Sequence, residues 1–181
     1  MNKLIVLLGE SASGKSVTEK ELVNIYGFKR IILYTTRPQR DTEKNGIDYH
    51  FISESEFNHL KDNGSMIVHT RYKEDWQYGI MKADCRTGHN KVVILTPSGL
   101  RMLKKFKNIN IYSFYIKVSR RDRLICALRR GDCIDEAIRR NLSDVGQFDG
   151  IEEEVDKVIY NFSYRKTPQE ICNEIWDEIR H

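Results

Sequence analysis

The sequence contains no apolar run that approaches the length of a membrane-spanning helix. Its first apolar segment, residues 3–8, is too short, and too closely followed by a polar loop, to be a signal peptide. We therefore expect a cytoplasmic protein without a membrane partner.

The four cysteines and five histidines show none of the spacings that are typical of metal sites. No two cysteines form a C-x-x-C motif, so we interpret all four as reduced packing residues. Internal repeats, low-complexity linkers and recognised nucleic-acid-binding motifs are also absent. These absences exclude a zinc-binding module and a repeat architecture. The 181 residues fit one domain with room for small subdomains.

Residues 9–16, Gly-Glu-Ser-Ala-Ser-Gly-Lys-Ser, match the phosphate-loop pattern G-x-x-x-x-G-K-[ST]. They follow an apolar run typical of a buried parallel strand and precede a helical pattern, which disfavours a glycine-rich turn without a ligand. Backbone N–H groups of such a loop point into one concavity where an anion binds. Lys15 would reach the outer phosphates of a nucleoside triphosphate, and the Ser16 hydroxyl would bind Mg²⁺. The predicted donor-binding residues of the loop are Glu10, Ser11, Ala12, Ser13, Gly14, Lys15, Ser16 and Val17.

Strand and helix patterns alternate along the rest of the chain. The predicted strands of the main sheet are 3–8, 29–34, 91–95, 109–118 and 157–159. Ser98 and Ser119 are predicted to cap the helices that follow them, and Leu124, Ile125 and Leu128 to face inward. This alternation predicts an α/β fold of the P-loop NTPase type, a parallel sheet covered by helices on both faces.

Two segments are predicted to move relative to this sheet. Residues 34–80 form a small, mostly β lobe for an acceptor, inserted into a core made of 1–33 and 81–181. Residues 119–147 form an arginine-rich segment within that core, in a chain of net charge +4. The arginines are interpreted as a lid over triphosphate oxygens, although a solvated helix face or a nucleic-acid contact would show the same pattern.

A second anion site is predicted directly after the second strand. Arg37 and Arg40 lie three residues apart, with an acid at Glu43 and a tyrosine at Tyr49. The planar fork of arginine fits a phosphate dianion with two hydrogen bonds. One phosphate site for a donor and another for an acceptor are what transfer between two phosphorylated molecules requires.

This stretch resembles the guanylate kinase family, whose members carry T-T-R-x-x-R-x-x-E-x-x-G-x-D-Y-x-F after the phosphate loop. The matching residues are Thr35, Thr36, Arg37, Arg40, Glu43, Gly46, Asp48, Tyr49 and Phe51. The resemblance extends over nearly the whole chain, through Tyr78-Gly79 and Arg130-Gly131 to 156–161.

The resemblance implies a role for each matching side chain, with ATP and Mg²⁺ as cofactors. The acceptor phosphate would be held by Arg37, Arg40, Tyr49 and Tyr78, with Glu43 in the same cluster. Arg130, with Arg139 or Arg140, would clamp the donor phosphates, and Asn161 would lie near the adenine. The residues expected to carry catalysis are Lys15, Arg37, Arg130 and Arg140.

Three positions depart from the family pattern. Family members usually recognise guanine through two hydroxyls and an acid, where this chain has Leu33, Val68 and Ile80. A further family acid aligns near Thr96 or Ser98. Either another side chain substitutes, for which Tyr34, Glu74 and Asp75 are the candidates, or the acceptor is not GMP.

The sequence thus predicts a kinase that transfers the γ-phosphoryl group of ATP to a phosphate monoester, a nucleoside monophosphate in the simplest case and GMP by resemblance. The second hypothesis is a kinase for a sugar phosphate such as a ribose bisphosphate. A catalytically dead binding module is the third hypothesis, and the intact phosphate loop argues against it. A nucleic-acid-binding P-loop protein is the fourth. The expected partner is a small phosphorylated acceptor rather than nucleic acid, and the expected assembly is a monomer or a homodimer.

Overall fold

The main sheet is parallel and has the strand order β2-β7-β1-β8-β9 in a computed structural model that describes residues 2–72, 76–86 and 88–180. Its strands are β1 (Lys3–Leu8), β2 (Lys29–Arg30), β7 (Lys91–Ile94), β8 (Asn110–Lys117) and β9 (Lys157–Tyr160). The helices are α1 (Lys15–Tyr26), α2 (Glu54–Asp62), α3 (Lys82–Arg86), α4 (Pro97–Leu103), α5 (Arg120–Arg129), α6 (Ile134–Ser143) and α7 (Pro168–Arg180).

The core lies on both faces of this sheet, because successive side chains of a strand point in opposite directions. Leu4 and Val6 of β1 pack into the cluster that includes Leu100 of α4. Ile5 of β1 packs into a second cluster with Ile175 of α7. The central strand is therefore buried on both sides, as the apolar run at 3–8 predicts, and the expected α/β fold class is confirmed.

A second sheet, of order β4-β3-β6-β5, is built from the segment that follows β2. Its strands are β3 (Tyr34–Thr35), β4 (His50–Phe51), β5 (Met66–Tyr72) and β6 (Trp76–Met81). Val68 and Ile80 of this sheet belong to the same apolar cluster as Leu4 of β1, so the two sheets share one core. The polar turn expected at 73–75, with Glu74 and Asp75, lies outside the described residues.

Two predictions about local structure are wrong. The strand expected at 29–34 is split, because Ile31 still donates to Val92 of the main sheet whereas Leu33 already accepts a hydrogen bond from His50 of the second sheet. The helix expected to start after Ser98 starts at Pro97, and its cap is Thr96, whose side chain accepts the Gly99 amide. A proline suits the first helical position because its missing N–H would have no helical partner there.

The buried face of α5 also differs from the prediction. Arg123 and Ala127 are buried, whereas Ile125 and Leu128 are 36% and 46% exposed. The apolar pattern predicts the wrong face because Arg123 points inward, where it pairs with the carboxylates of Glu10 and Asp144. The Ser119 cap is confirmed, since its hydroxyl accepts the Asp122 amide. None of the helices in the described ranges combines the length and apolar character needed to cross a membrane.

Glu19 on α1 makes the stability of the fold depend on pH. Its side chain is 7% exposed and lies 3.1 Å from Arg30 Nε. Burial raises the pKa of Glu19 from 4.5 to about 7, although Arg30 opposes the shift. The native protein therefore keeps a proton that the unfolded chain loses between about pH 4.5 and 7, so native stability falls as the pH rises through that window.

We expect Glu19→Gln to be more stable than the wild type at pH 8, by about 1 to 3 kcal/mol, and to lose that advantage towards pH 4.5. Urea unfolding of both proteins at several pH values measures the difference. Glu21→Gln on the same helix controls for the loss of a carboxylate. A difference that does not change with pH would contradict the assignment.

Candidate functional site

The phosphate loop turns so tightly that its first residue has to be glycine. Gly9 has a φ of +153°, and a Cβ there would lie 2.4 Å from Ser13 Oγ and 2.8 Å from the carbonyl oxygen of Ile116. The chain thus leaves β1, bends against β8 and enters α1 within six residues. Backbone amides of such a compact loop can surround an anion at the end of the central strand.

The N-terminus of α1 is left open for an anion. Gly14 precedes the helix in a left-handed conformation, and no side chain caps the first turn. The first turn carries no acidic side chain either, so its amides and the positive end of the helix dipole are not neutralised locally. The exposed Ser16 lies in this turn. These residues fit a bound phosphate chain.

Lys15 folds back over the loop. Its Nζ donates to the carbonyl oxygens of Gly9 at 2.6 Å and Glu10 at 2.8 Å. Burial lowers the pKa of Lys15 to about 8, although the carboxylates of Asp144 and Glu10 oppose the shift. The ammonium group is therefore poorly solvated, and an incoming phosphate would take the place of carbonyl oxygens as its partner.

Lys15 and part of the predicted acceptor cluster line the same cleft, which has a volume of about 560 Å³. Tyr49 and Tyr78 lie on its wall, and their rings are 5.9 Å apart. The remaining wall includes Leu33, Val68, Leu95, Pro97 and Phe148. The phosphate loop and the two tyrosines of the predicted acceptor cluster thus open into one hollow.

Arg37 is held behind these tyrosines rather than exposed. Its Nη2 lies 2.7 Å and 2.9 Å from the two carboxylate oxygens of Glu43. The guanidinium carbon lies 5.4 Å from the ring centre of Tyr49 and 5.6 Å from that of Phe51. Arg40 is exposed, and its backbone amide donates to the same Glu43 carboxylate at 3.0 Å. The ion pair of Arg37 with Glu43 therefore organises the 37–49 motif.

The lid arginines are engaged in ion pairs with neighbouring acids. Arg130 pairs with Asp132, and its side chain is 56% exposed. Arg139 and Arg140 share Glu136, with Arg140 Nε at 2.7 Å. Hydrogen bonds, chiefly from Arg139, lower the pKa of Glu136 to about 2.

Arg130 and Arg140 both line a small hollow of about 20 Å³ beside the phosphate loop. Ser11 and Ala12 of the loop lie on the same hollow, whereas Arg139 is not among its lining residues. Of the two arginines between which the sequence could not decide, Arg140 is thus the one next to the loop.

Asn161 is buried, and its amide is used within its own turn. It donates to the carbonyl oxygen of Lys166 at 3.1 Å and accepts the Lys166 amide at 2.8 Å. The turn so formed carries Tyr164, whose hydroxyl donates to the carbonyl oxygen of Ala12 at 2.6 Å. Asn161 therefore orders the segment beside the loop. Sequence reasoning missed Tyr164, because nothing in its local pattern marks it.

Sequence reasoning also missed an ion-pair network beneath the loop. The buried guanidinium of Arg123 lies 3.4 Å from Glu10 Oε1 and 3.6 Å from Asp144 Oδ2. Tyr115 donates to the other oxygen of Glu10 at 3.0 Å. The charge pattern places Arg123 with the lid arginines, but the structure shows that it joins α5 to the loop and to the end of α6.

The family model described as "Guanylate kinase" matches residues 1–178. The chain belongs to the guanylate kinase family. It is 28% identical over 165 residues to a guanylate kinase of Bacteroides thetaiotaomicron, a match that covers 88% of this chain and 81% of that protein. It is 26% identical over 181 residues to a guanylate kinase of Fusobacterium nucleatum, covering 97% of this chain and 94% of that protein.

Among solved structures, guanylate kinase from Anaplasma phagocytophilum superposes with a TM-score of 0.72, covering 99% of this chain and 85% of that one. At 24% identity this likeness shows the fold. The resemblance stated from the sequence is therefore confirmed at the level of family and fold.

The three departures from the guanylate kinase pattern lie together. Val68 of β5 is directly opposite Ile80 of β6, and both are buried. Leu33 packs against the same apolar cluster, and Leu33 and Val68 line the cleft. All three side chains are apolar, and of the three Leu33 and Val68 line the cleft, whose wall also includes Thr70, Ser98 and Arg101.

Proposed function

We propose that the protein is an ATP-dependent kinase that transfers the γ-phosphoryl group to the phosphate of a nucleoside monophosphate, and that GMP is the acceptor favoured by the family. One observation carries the proposal: the phosphate loop with Lys15, and Tyr49 and Tyr78 of the acceptor lobe, open into the same cleft. Family membership and the guanylate kinases that the chain matches support it.

In this proposal the loop amides and Lys15 bind the donor phosphates. Tyr49, on the cleft wall, orients the acceptor phosphate together with Arg37, which packs against its ring and is not among the residues that line the cleft. Magnesium, when bound, neutralises charge on the phosphate oxygens. The Ser16 hydroxyl would hold it together with those oxygens, since the described residues contain no group of three or more metal-binding side chains.

Arg37 is suited to its role because Glu43 and two aromatic rings fix its orientation before an acceptor arrives. No general base is needed, because a phosphate oxygen is already ionised at neutral pH. The work of the protein is to align two anions and to stabilise the moving phosphoryl group. Arg130 and Arg140 lie beside the loop and would add positive charge around the moving phosphoryl group when the 119–147 segment closes.

A coupled assay of ADP release tests the proposal, with ATP against GMP, dGMP, AMP, CMP, UMP, dTMP and ribose bisphosphate. We expect acceptor-dependent ADP release with at least one nucleoside monophosphate. Release that does not depend on any acceptor would indicate ATP hydrolysis and contradict a kinase. No release at all would favour the binding module.

A different acceptor is the second candidate, and the apolar side chains of Leu33, Val68 and Ile80 favour it. Guanine presents N–H donors on its pairing edge, and each donor buried without a partner costs about 1 to 3 kcal/mol. The same assay decides between the candidates. A preference for GMP would show that other side chains recognise guanine, and Glu74→Gln and Asp75→Asn would then be tested for loss of that preference.

A further inference from the structure

Asp144, which follows the last residue of α6, reaches across to the phosphate loop. Its Oδ2 accepts the backbone N–H of Ser11 at 2.7 Å, a contact between residues 133 positions apart. The carboxylate is 14% exposed and lies on the wall of the cleft together with Lys15. A carboxylate of the lid thus occupies an amide of the loop that would bind donor phosphate.

Arg123 fixes this arrangement. Its Nη1 lies 3.6 Å from Asp144 Oδ2 and 3.3 Å from the carbonyl oxygen of Ser11. Its Nη2 faces Glu10 on the same loop. Arg123 is buried and lies between the carboxylates of Glu10 and Asp144. The contact of Asp144 with the Ser11 amide is therefore part of a buried ion-pair network.

One backbone N–H cannot serve two anions at full strength, and two anions held at the same point repel each other. A phosphate oxygen on the Ser11 amide therefore requires the Asp144 carboxylate to withdraw. Asp144 follows the last residue of α6, so this contact links the loop to the helix that carries Arg140, which lies beside the loop.

We propose that Asp144 is an internal competitor for the donor phosphate, and that ATP binding displaces its carboxylate from the Ser11 amide. The inference rests on the proposed function, since it assumes that the loop binds ATP. It assigns to Asp144 a role in setting the affinity for ATP, exerted through the Ser11 amide.

Calorimetric titration of the whole chain with ATP, with and without Mg²⁺, tests this inference. Asp144→Asn keeps the size of the side chain but removes the competing charge, and we expect it to bind ATP about tenfold more tightly than the wild type. Damage to the fold would weaken binding, so a gain in affinity cannot come from a merely structural role. Asp144→Ser serves the same purpose if the asparagine variant folds poorly.

Asp149→Asn is the matched control, because it removes an exposed carboxylate a few residues further along the chain. We expect its affinity to change by about twofold or less, since exposed charges are screened by salt. Equal affinity of Asp144→Asn and the wild type would overturn the inference. So would weaker binding, which, if confined to titrations with Mg²⁺, would identify Asp144 as a metal ligand. A wild type that fails to bind ATP would overturn the proposed function itself.

Discussion

Replacing Lys15 with methionine is expected to reduce turnover by about three orders of magnitude. The methionine side chain fills similar space but brings no positive charge to the transferred phosphoryl group. Lys15 is the first residue of α1, directly after the loop, and its Nζ donates to the carbonyl oxygens of Gly9 and Glu10 in that loop. Steady-state rates of ADP release with saturating acceptor measure the loss.

The same replacement is expected to leave the fold intact. Burial lowers the pKa of Lys15 to about 8, so the charged side chain decreases the stability of the native state. Urea unfolding at pH 7 should therefore show Lys15→Met to be at least as stable as the wild type. Lys20→Met, which removes an exposed charge from the same helix, should keep wild-type rates. Wild-type-like turnover in Lys15→Met would refute the assignment of the donor site.

Replacing Arg37 with methionine is expected to lower kcat/KM for the acceptor by about 100-fold or more, with little change in KM for ATP. It should also destabilise the protein by about 3 kcal/mol, because Glu43 would remain largely buried without its cation. Initial rates over a grid of both substrate concentrations, and urea unfolding, measure the two effects.

A double variant separates these two effects. In Arg37→Met with Glu43→Gln the buried charge is removed together with its partner, so we expect stability to recover while use of the acceptor stays impaired. Lys44→Met, in the same exposed turn, controls for loss of a positive charge near the site. If the double variant recovered acceptor use along with stability, Arg37 would have a structural role only.

Much of the fold could be predicted because its signals are local. The apolar run of β1, the phosphate loop and the cap at Ser119 each depend on residues within a few positions of one another. The motif at 37–49 is of the same kind, since Arg37 and Glu43 are six residues apart and pair within one turn-rich segment. The conformation of such a segment is determined by residues that are close together in the sequence.

The errors arose where distant residues decide the outcome. Leu128 follows an apolar pattern, yet α5 turns Arg123 inward because Glu10 and Asp144 meet it there. The strand expected at 29–34 is divided because its two ends pair with different sheets. Neither the rotation of a helix nor the choice of a pairing partner is encoded in the spacing of nearby side chains.

By itself, the sequence determined that this protein carries a phosphate loop, the guanylate kinase motif at 35–51 and a parallel α/β fold. Only the tertiary structure decided that Val68 and Ile80 form one apolar surface and that Asp144 lies on the Ser11 amide. The physical reason is that periodicity and capping fix the conformation of a segment, whereas contacts across more than 100 residues depend on strand order and helix packing.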